Sequence, residues 1–388
     1  MRRFTQARFV AVLASTVFIA SQAFAEIKVG AILSLTGPAA SLGIPVKNTI
    51  DILPRKIGDE DVRYIVLDDA SDPSAAVRAA KKLIEEEKVD IIFGPSVTPT
   101  SLAVVEVAGP GKTAMVSAAG SAVIARPVEG NKQWVFKTAP EEPAMAARVF
   151  GQMDVDGDKT VGFIGFNDAF GDSFIGAFKK VAETRGVKVV ADERYNSKDT
   201  SVTAQVLSVI SAAPDAVVIG ASGTPGVAPV LELRNQGYDG AIYINQGMAN
   251  PDVLRIGKDG LNGVMLAVPP VLVTEQLSDN DPVKPVAQTY INAYEGKYGP
   301  GTRSLFGATV WDAYLILENA VPRALATGSK PGTEAFRTAL RDAYQTTPEL
   351  VGTQAIFNMS PTNHNGTDER AEVLVKIENG KWVYVPQK

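Results

Sequence analysis

From Glu26 onward, short apolar runs alternate with amphipathic stretches at helical spacing, and this alternation limits the possible folds more than any other feature of the chain. Ile27 to Leu35 (IKVGAILSL) is apolar enough for a strand buried on both faces; Thr36-Gly37-Pro38 then turns the chain into a helix from about Ile44 to Leu53. Val62 to Leu67 is the next strand, and Ser74 to Glu87 is a helix with Val77, Ala80, Lys81 and Ile84 on one face. A break at Lys137-Thr138-Ala139-Pro140 precedes a second series, with strands expected over 160–166, 187–191, 216–220 and 241–245 and helices over 143–153, 172–185, 202–212 and 226–236. Regular strand-helix order implies parallel sheets covered by helices on both faces. Two such series imply two doubly wound α/β lobes.

Composition excludes several classes of function. With 388 residues, 45% hydrophobic and 21% charged, the chain is a well-packed globular protein of two domains, neither disordered nor a coiled coil. A net charge of −5, with no basic run after the N-terminus, gives no support to nucleic-acid binding. The chain has no cysteine, so it has no disulfide framework, thiol nucleophile or cysteine metal site. The single histidine, His364, stands in the polar loop SPTNHNGTDE and reads as a surface residue, which leaves no catalytic triad and no histidine metal cluster. No catalytic residue, metal or cofactor is expected.

Residues 1–25 read as a cleavable signal peptide. Arg2, Arg3 and Arg8 precede an apolar run from Phe9 to Ala20, and Ala23-Phe24-Ala25 is an A-x-A cleavage site. The run is too short to span a bilayer, so export to the periplasm is expected, with the general secretory route favoured over the twin-arginine one.

The strand ends carry the functional signal. Around 90–121 an apolar strand runs into Gly94, Pro95, Ser96, Val97 and Thr98 before a helix begins at Thr100, and a second runs into Ser117, Ala118, Ala119, Gly120 and Ser121. Such turns present backbone N–H groups and hydroxyls at a helix N-terminus, which suits a small anion such as a carboxylate. The second series repeats the chemistry in Asn167-Asp168-Ala169-Phe170-Gly171, in Gly220-Ala221-Ser222-Gly223-Thr224-Pro225 and in Asn245-Gln246-Gly247. Ligands of open parallel sheets sit outside the carboxyl ends of the strands, so these turns describe an inter-lobe cleft. Three other patterns carry no function: GPGKT at 109–113 has Glu106 where a phosphate loop needs glycine, DVDGD at 154–158 has Gly165 where a calcium loop needs glutamate, and Asp68, Asp69 and Asp72 read as acidic caps.

The segments SLTGPAASLG, LDDASDPSAAV, FNDAFGDSF, GASGTPG and FGATVWDAY, together with the leader, resemble the solute-binding proteins of branched-chain amino acid ABC importers. The resemblance covers the whole mature chain. It implies two lobes joined by three crossovers that close on a ligand like a hinged trap, the first from 26–140 plus 271–350 and the second from 141–270 plus 351–388. It also implies a monomer that serves a membrane permease. By the same resemblance Ser96 or Thr98 holds the ligand carboxylate with the turn at Ala119, Gly120 and Ser121, Ser222 lies in the facing turn, and Phe170, Phe306 and Leu42 wall an apolar slot.

Gln246 departs from that pattern. Amino acid binders of the family have an acid at the matching position to pair with the substrate ammonium, and burying an ammonium without one costs several kcal/mol, about a thousandfold in affinity. A ligand that keeps a carboxylate and lacks the α-amino group is therefore expected, and the GASGTPG and Gln246-Gly247 segments resemble the branch of the family that takes aromatic acids such as benzoates and phenylpropanoids. The alternative is an ordinary amino acid whose charge is met by Asp168 or another acid. An exported α/β hydrolase would need a G-x-S-x-G elbow, which is absent, and a sensory ligand domain would need a fused membrane segment.

Overall fold

A computed structural model of the protein describes residues 26–386; the leader expected over residues 1–25 lies outside them. Two sheets organise the chain. The first has six strands in the order Lys56–Ile57, Glu60–Asp68, Ile27–Leu33, Ile91–Phe93, Ala114–Ser117 and Val135–Lys137. All are parallel except the short first strand, which pairs antiparallel with Glu60–Asp68. The second has seven strands, and its parallel part runs Met265–Val268, Ala241–Ile244, Ala216–Gly220, Thr160–Phe166 and Lys188–Tyr195. A closing hairpin, Val373–Glu378 and Lys381–Val385, extends it antiparallel beside Met265–Val268. The architecture is the two-lobed α/β one that the alternation implies.

Burial follows the parallel arrangement. Every residue of Ile91–Phe93 and Ala216–Gly220 is buried, as expected for strands covered on both faces, and only Lys28 and Thr160 are partly exposed in Ile27–Leu33 and Thr160–Phe166. Asp72 caps the helix Pro73–Lys81 by accepting from the Ala75 N–H at 2.7 Å, the capping role read from its place before Pro73. The first helix departs from expectation. It spans Ala40–Ile50, so it begins four residues before Ile44 and carries Pro45 inside it. The Thr49 hydroxyl donates to the Pro45 carbonyl at 3.1 Å, in the turn that follows the proline.

The chain passes between the sheets after Lys137, after Val268 and again before Val373. These passages are tied down by buried polar groups. Asn365 Nδ2 donates to the carbonyls of Lys137 and Ala139, and the Thr138 hydroxyl donates to the Thr309 carbonyl at 2.8 Å. Here the reading of His364 as a surface residue fails: it is 1% exposed, its ring stacks on Phe136 at 4.3 Å, and Nδ1 lies 2.9 Å from the Val135 carbonyl. A carbonyl only accepts, so Nδ1 carries the proton, and burial pushes the imidazole pKa down. Within this polar loop, His364 and Asn365 serve the backbone of the passage and not the solvent.

Asp312, fully buried in the helix Leu305–Leu325, accepts from the N–H groups of Thr353 at 2.6 Å and Gln354 at 3.2 Å. It thereby holds the start of the third passage. Asp312→Ala would strand two buried N–H groups and is expected to cost about 3 kcal/mol of unfolding free energy, measured by urea denaturation; a loss under about 1 kcal/mol would mean that water replaces the carboxylate.

Candidate functional site

The carboxyl ends of the strands in the two sheets face each other across a cavity of about 110 Å³. From the first sheet come Ser96, Val97 and Thr98 after Ile91–Phe93, and Ala118, Ala119 and Gly120 after Ala114–Ser117. From the second come Asp168 and Phe170 after Thr160–Phe166, Ser222 after Ala216–Gly220, and Asn245, Gln246 and Gly247 after Ala241–Ile244. Leu42 from the first helix and Leu305 and Phe306 from the start of Leu305–Leu325 complete the wall. Nine of the ten residues singled out in the sequence line this space: Ser96, Thr98, Ala119, Gly120, Phe170, Ser222, Gln246, Phe306 and Leu42.

Glycine makes the first cradle possible. Gly94 has φ +89°, and a Cβ there would lie 2.2 Å from the Ile32 carbonyl oxygen, so the turn into Ser96 is closed to other residues. Ser96 Oγ accepts from the Ser34 N–H at 3.2 Å, which leaves its proton free to donate. Thr98 opens the helix Thr98–Ala108; its buried hydroxyl has no partner, and no side chain caps that helix end. The second turn is more selective than its sequence suggests. The Ala119 N–H is taken by Ser117 Oγ at 3.1 Å, whereas no acceptor among the described residues takes the Gly120 N–H.

Ser121 is the residue the structure does not bring to the cavity. It is fully buried, and its hydroxyl donates to Ser173 Oγ at 2.7 Å; Ser173 in turn donates to Glu142 Oε1 at 2.7 Å, and Glu142 Oε2 accepts from the Ala122 N–H at 2.8 Å. Ser173 lies on the helix Ala169–Thr184, which packs on the second sheet, so this chain of bonds ties the two lobes together beside the cleft.

Gln246 is 4% exposed, and its Nε2 donates to the Pro140 carbonyl at 3.0 Å. Because that carbonyl can only accept, the amide orientation is determined: Nε2 faces Pro140 and Oε1, without a partner, is left as a neutral acceptor. The amide stands close to the second turn, since a Cβ on Gly120 would lie 3.0 Å from Nε2. Asp168 is the acid in the cavity wall. Its Oδ1 accepts from the N–H groups of Phe170 at 2.9 Å and Gly171 at 3.0 Å, capping Ala169–Thr184, and burial pushes its pKa up against those bonds.

The wall also includes residues that sequence reasoning did not pick out. Phe166 is the last residue of its strand, a position at which the strand-end rule could have found it, and it packs edge-on to Tyr195 at 5.2 Å. Met145 and Lys198 carried no such signal: one lies in the first turns of a helix after a passage, the other in an exposed loop at the mouth. Among the described residues no cluster of His, Cys, Asp or Glu could hold a metal ion, and no helix is long and apolar enough to cross a membrane.

Comparison with known proteins agrees with this architecture. Residues 26–381 match the family model described as periplasmic binding protein, and the chain belongs to that family. The crystal structure of an extracellular ligand-binding receptor from Rhodopseudomonas palustris HaA2 is 38% identical, with a TM-score of 0.90 over 93% of this chain and 100% of that one. A Leu/Ile/Val-binding protein homolog 3 from Brucella melitensis biotype 1 is 25% identical over 85% of this chain and 87% of its own. At 20% identity and a TM-score of 0.78, covering 93% and 95% of the two chains, the fold is shared with an ABC transporter solute-binding protein of R. palustris crystallised with benzoate.

The Ser121 to Ser173 bond can be tested on its own. Ser173→Ala is expected to shift the balance between closed and open lobes toward the open form by about 1 kcal/mol, roughly fivefold. Small-angle X-ray scattering would then give a larger radius of gyration, and an unchanged radius would mean that the bond adds nothing to closure.

Proposed function

We propose that the protein is the periplasmic ligand-binding component of an ABC importer, a monomer that captures a small aromatic carboxylate, such as a benzoate or phenylpropanoid, by hinge closure and delivers it to a membrane permease. The lobes divide at 26–140 plus 271–350 and 141–270 plus 351–388, and the exported form begins after cleavage at Ala25. Ser96, Thr98 and the Gly120 N–H receive the carboxylate; Leu42, Phe166, Phe170 and Phe306 enclose the ring. Binding here is a matter of trapping and not of chemistry.

The observation that carries the ligand class is the Gln246 amide. Its free atom is a neutral carbonyl oxygen, on a buried amide whose nitrogen stands close to Gly120, where an α-ammonium beside the carboxylate would need a full negative charge. A neutral acceptor there tolerates a ligand without an ammonium. The amino acid reading keeps one observation in its favour, since Asp168 lines the same cavity. Its Oδ1 is already committed to capping a helix, however, and burial favours its protonated form. The proteins that the chain resembles include both a Leu/Ile/Val-binding protein homologue and a solute-binding protein crystallised with benzoate.

A thermal-shift comparison on refolded, ligand-stripped protein separates the two readings. Benzoate, 4-hydroxycinnamate and phenylpyruvate are expected to raise the melting temperature, and leucine and phenylalanine are not; stabilisation by leucine alone would transfer the counter-charge to Asp168. Gln246→Glu adds an anion beside the carboxylate and is expected to weaken benzoate binding by about tenfold or more, measured by isothermal titration calorimetry.

A further inference from the structure

Lys137 ends the strand Val135–Lys137 and, among the described residues, is the only fully buried lysine. An ammonium so far from water is costly unless it meets a negative charge or a strong acceptor. The nearby acids are already engaged: Glu141 pairs with Arg126 at 2.7 Å, and Glu142 accepts from Ala122 and Ser173. Lys137 Nζ instead donates to the carbonyl oxygen of Ala119 at 2.6 Å. That carbonyl belongs to the peptide that joins Ala119 to Gly120, which is not among the cis bonds of the chain. In a trans peptide C=O and N–H point in opposite directions, so the Gly120 N–H is directed away from Lys137, on a residue that lines the cavity.

A cation on the carbonyl end of a peptide polarises the whole unit and strengthens its N–H as a donor. We infer that Lys137 is a positioning residue for the ligand carboxylate: it fixes the Ala119–Gly120 peptide with its N–H toward the cavity and places a full positive charge behind that N–H without touching the ligand. The inference rests on the reading that a carboxylate binds at Gly120, and it does not depend on whether the rest of the ligand is an aromatic ring or an amino acid. The cradle is otherwise neutral, built from hydroxyls and backbone N–H groups, and a small anion taken from water gains little from neutral donors alone.

The proton on Lys137 gives the test a signature that a merely structural role lacks. Burial pushes its pKa down to about 8, with Glu141 and Glu142 opposing that shift and Arg126 adding to it. The other titratable side chains in contact with this strand are His364, whose own pKa burial lowers, and Tyr344, whose pKa burial raises well above 10, so both stay neutral between pH 7 and 9. Lys137 is therefore charged at pH 7 and loses its charge as pH rises through about 8. A bound anion favours the charged form, so carboxylate affinity is strong below that pH and falls above it.

The experiment is calorimetric titration of benzoate and of leucine from pH 7 to pH 9 on the wild type, on Lys137→Gln and on Lys137→Arg. Whichever of the two the wild type takes is expected to bind about tenfold more weakly at the alkaline end. Lys137→Gln, which keeps a donor for the Ala119 carbonyl, is expected to bind about tenfold more weakly at pH 7 with no slope, and Lys137→Arg to retain most of the affinity. A flat wild-type profile, or Lys137→Gln binding as tightly as wild type, overturns the inference, and the first of these needs no variant to fold. Wild type that takes leucine and not benzoate overturns the aromatic reading and leaves Lys137 to be judged on the leucine data; wild type that takes neither overturns both.

Discussion

In a parallel sheet every strand delivers its following turn to the same edge, and the cleft of this protein is formed where two such edges meet. The turns cannot pair with one another as strands do, so their N–H groups and carbonyls need other partners. Ser117, Asp168 and Asn245 supply some of these from their own side chains, each accepting from the N–H two residues on. What remains unpaired belongs to residues of the cavity wall: the Gly120 N–H, the Thr98 hydroxyl and Gln246 Oε1. In the proposed function, ligand recognition uses the polar groups that the fold leaves over at the strand ends.

The same edges must move relative to one another if a ligand is to enter, and the buried bonds divide accordingly. Bonds at the passages between the sheets, such as Asn365 to Ala139 and Asp312 to Thr353, hold neighbouring segments of the hinge region and need not break on opening. Bonds across the cleft are of a different kind. Ser121 to Ser173 joins two exchangeable hydroxyls, each of which water could satisfy in an open form at little cost. Closure held by such bonds would be reversible, as the proposed capture and release of a ligand requires.

Glu142 and Lys137 stand back to back near the first passage, yet they serve different sides of it. The carboxylate gathers donors from both lobes, while the ammonium is turned toward the Ala119 carbonyl. Their attraction across the low-dielectric interior lowers the cost of burying either charge.

Much of this was legible in the residues themselves. Strands Thr160–Phe166 and Ala216–Gly220 appear where their apolar runs place them, and the small-residue turns after the strands line the cavity, because a period-two or continuous apolar pattern and a Gly, Ser or Asn turn are local properties. Gln246 stands out as a departure from the pattern of the family that the chain resembles. Partners could not be read in this way. Ser121 and Gly120 are neighbours in one turn, but one hydroxyl is spent on a helix 52 residues away while the adjacent N–H stays free. His364 lies in a string of polar residues and is buried, because Val135 and Phe136, more than two hundred positions earlier, pack against it. Lys137 reads as part of the break before the second series until the Ala119 carbonyl is found on its ammonium. The sequence by itself determined the alternating elements, the edge at which the site must lie and the chemical types available there; the tertiary structure alone decided which of those groups are paired and which face the cavity, since hydrogen bonds between distant segments depend on distances that no local pattern encodes.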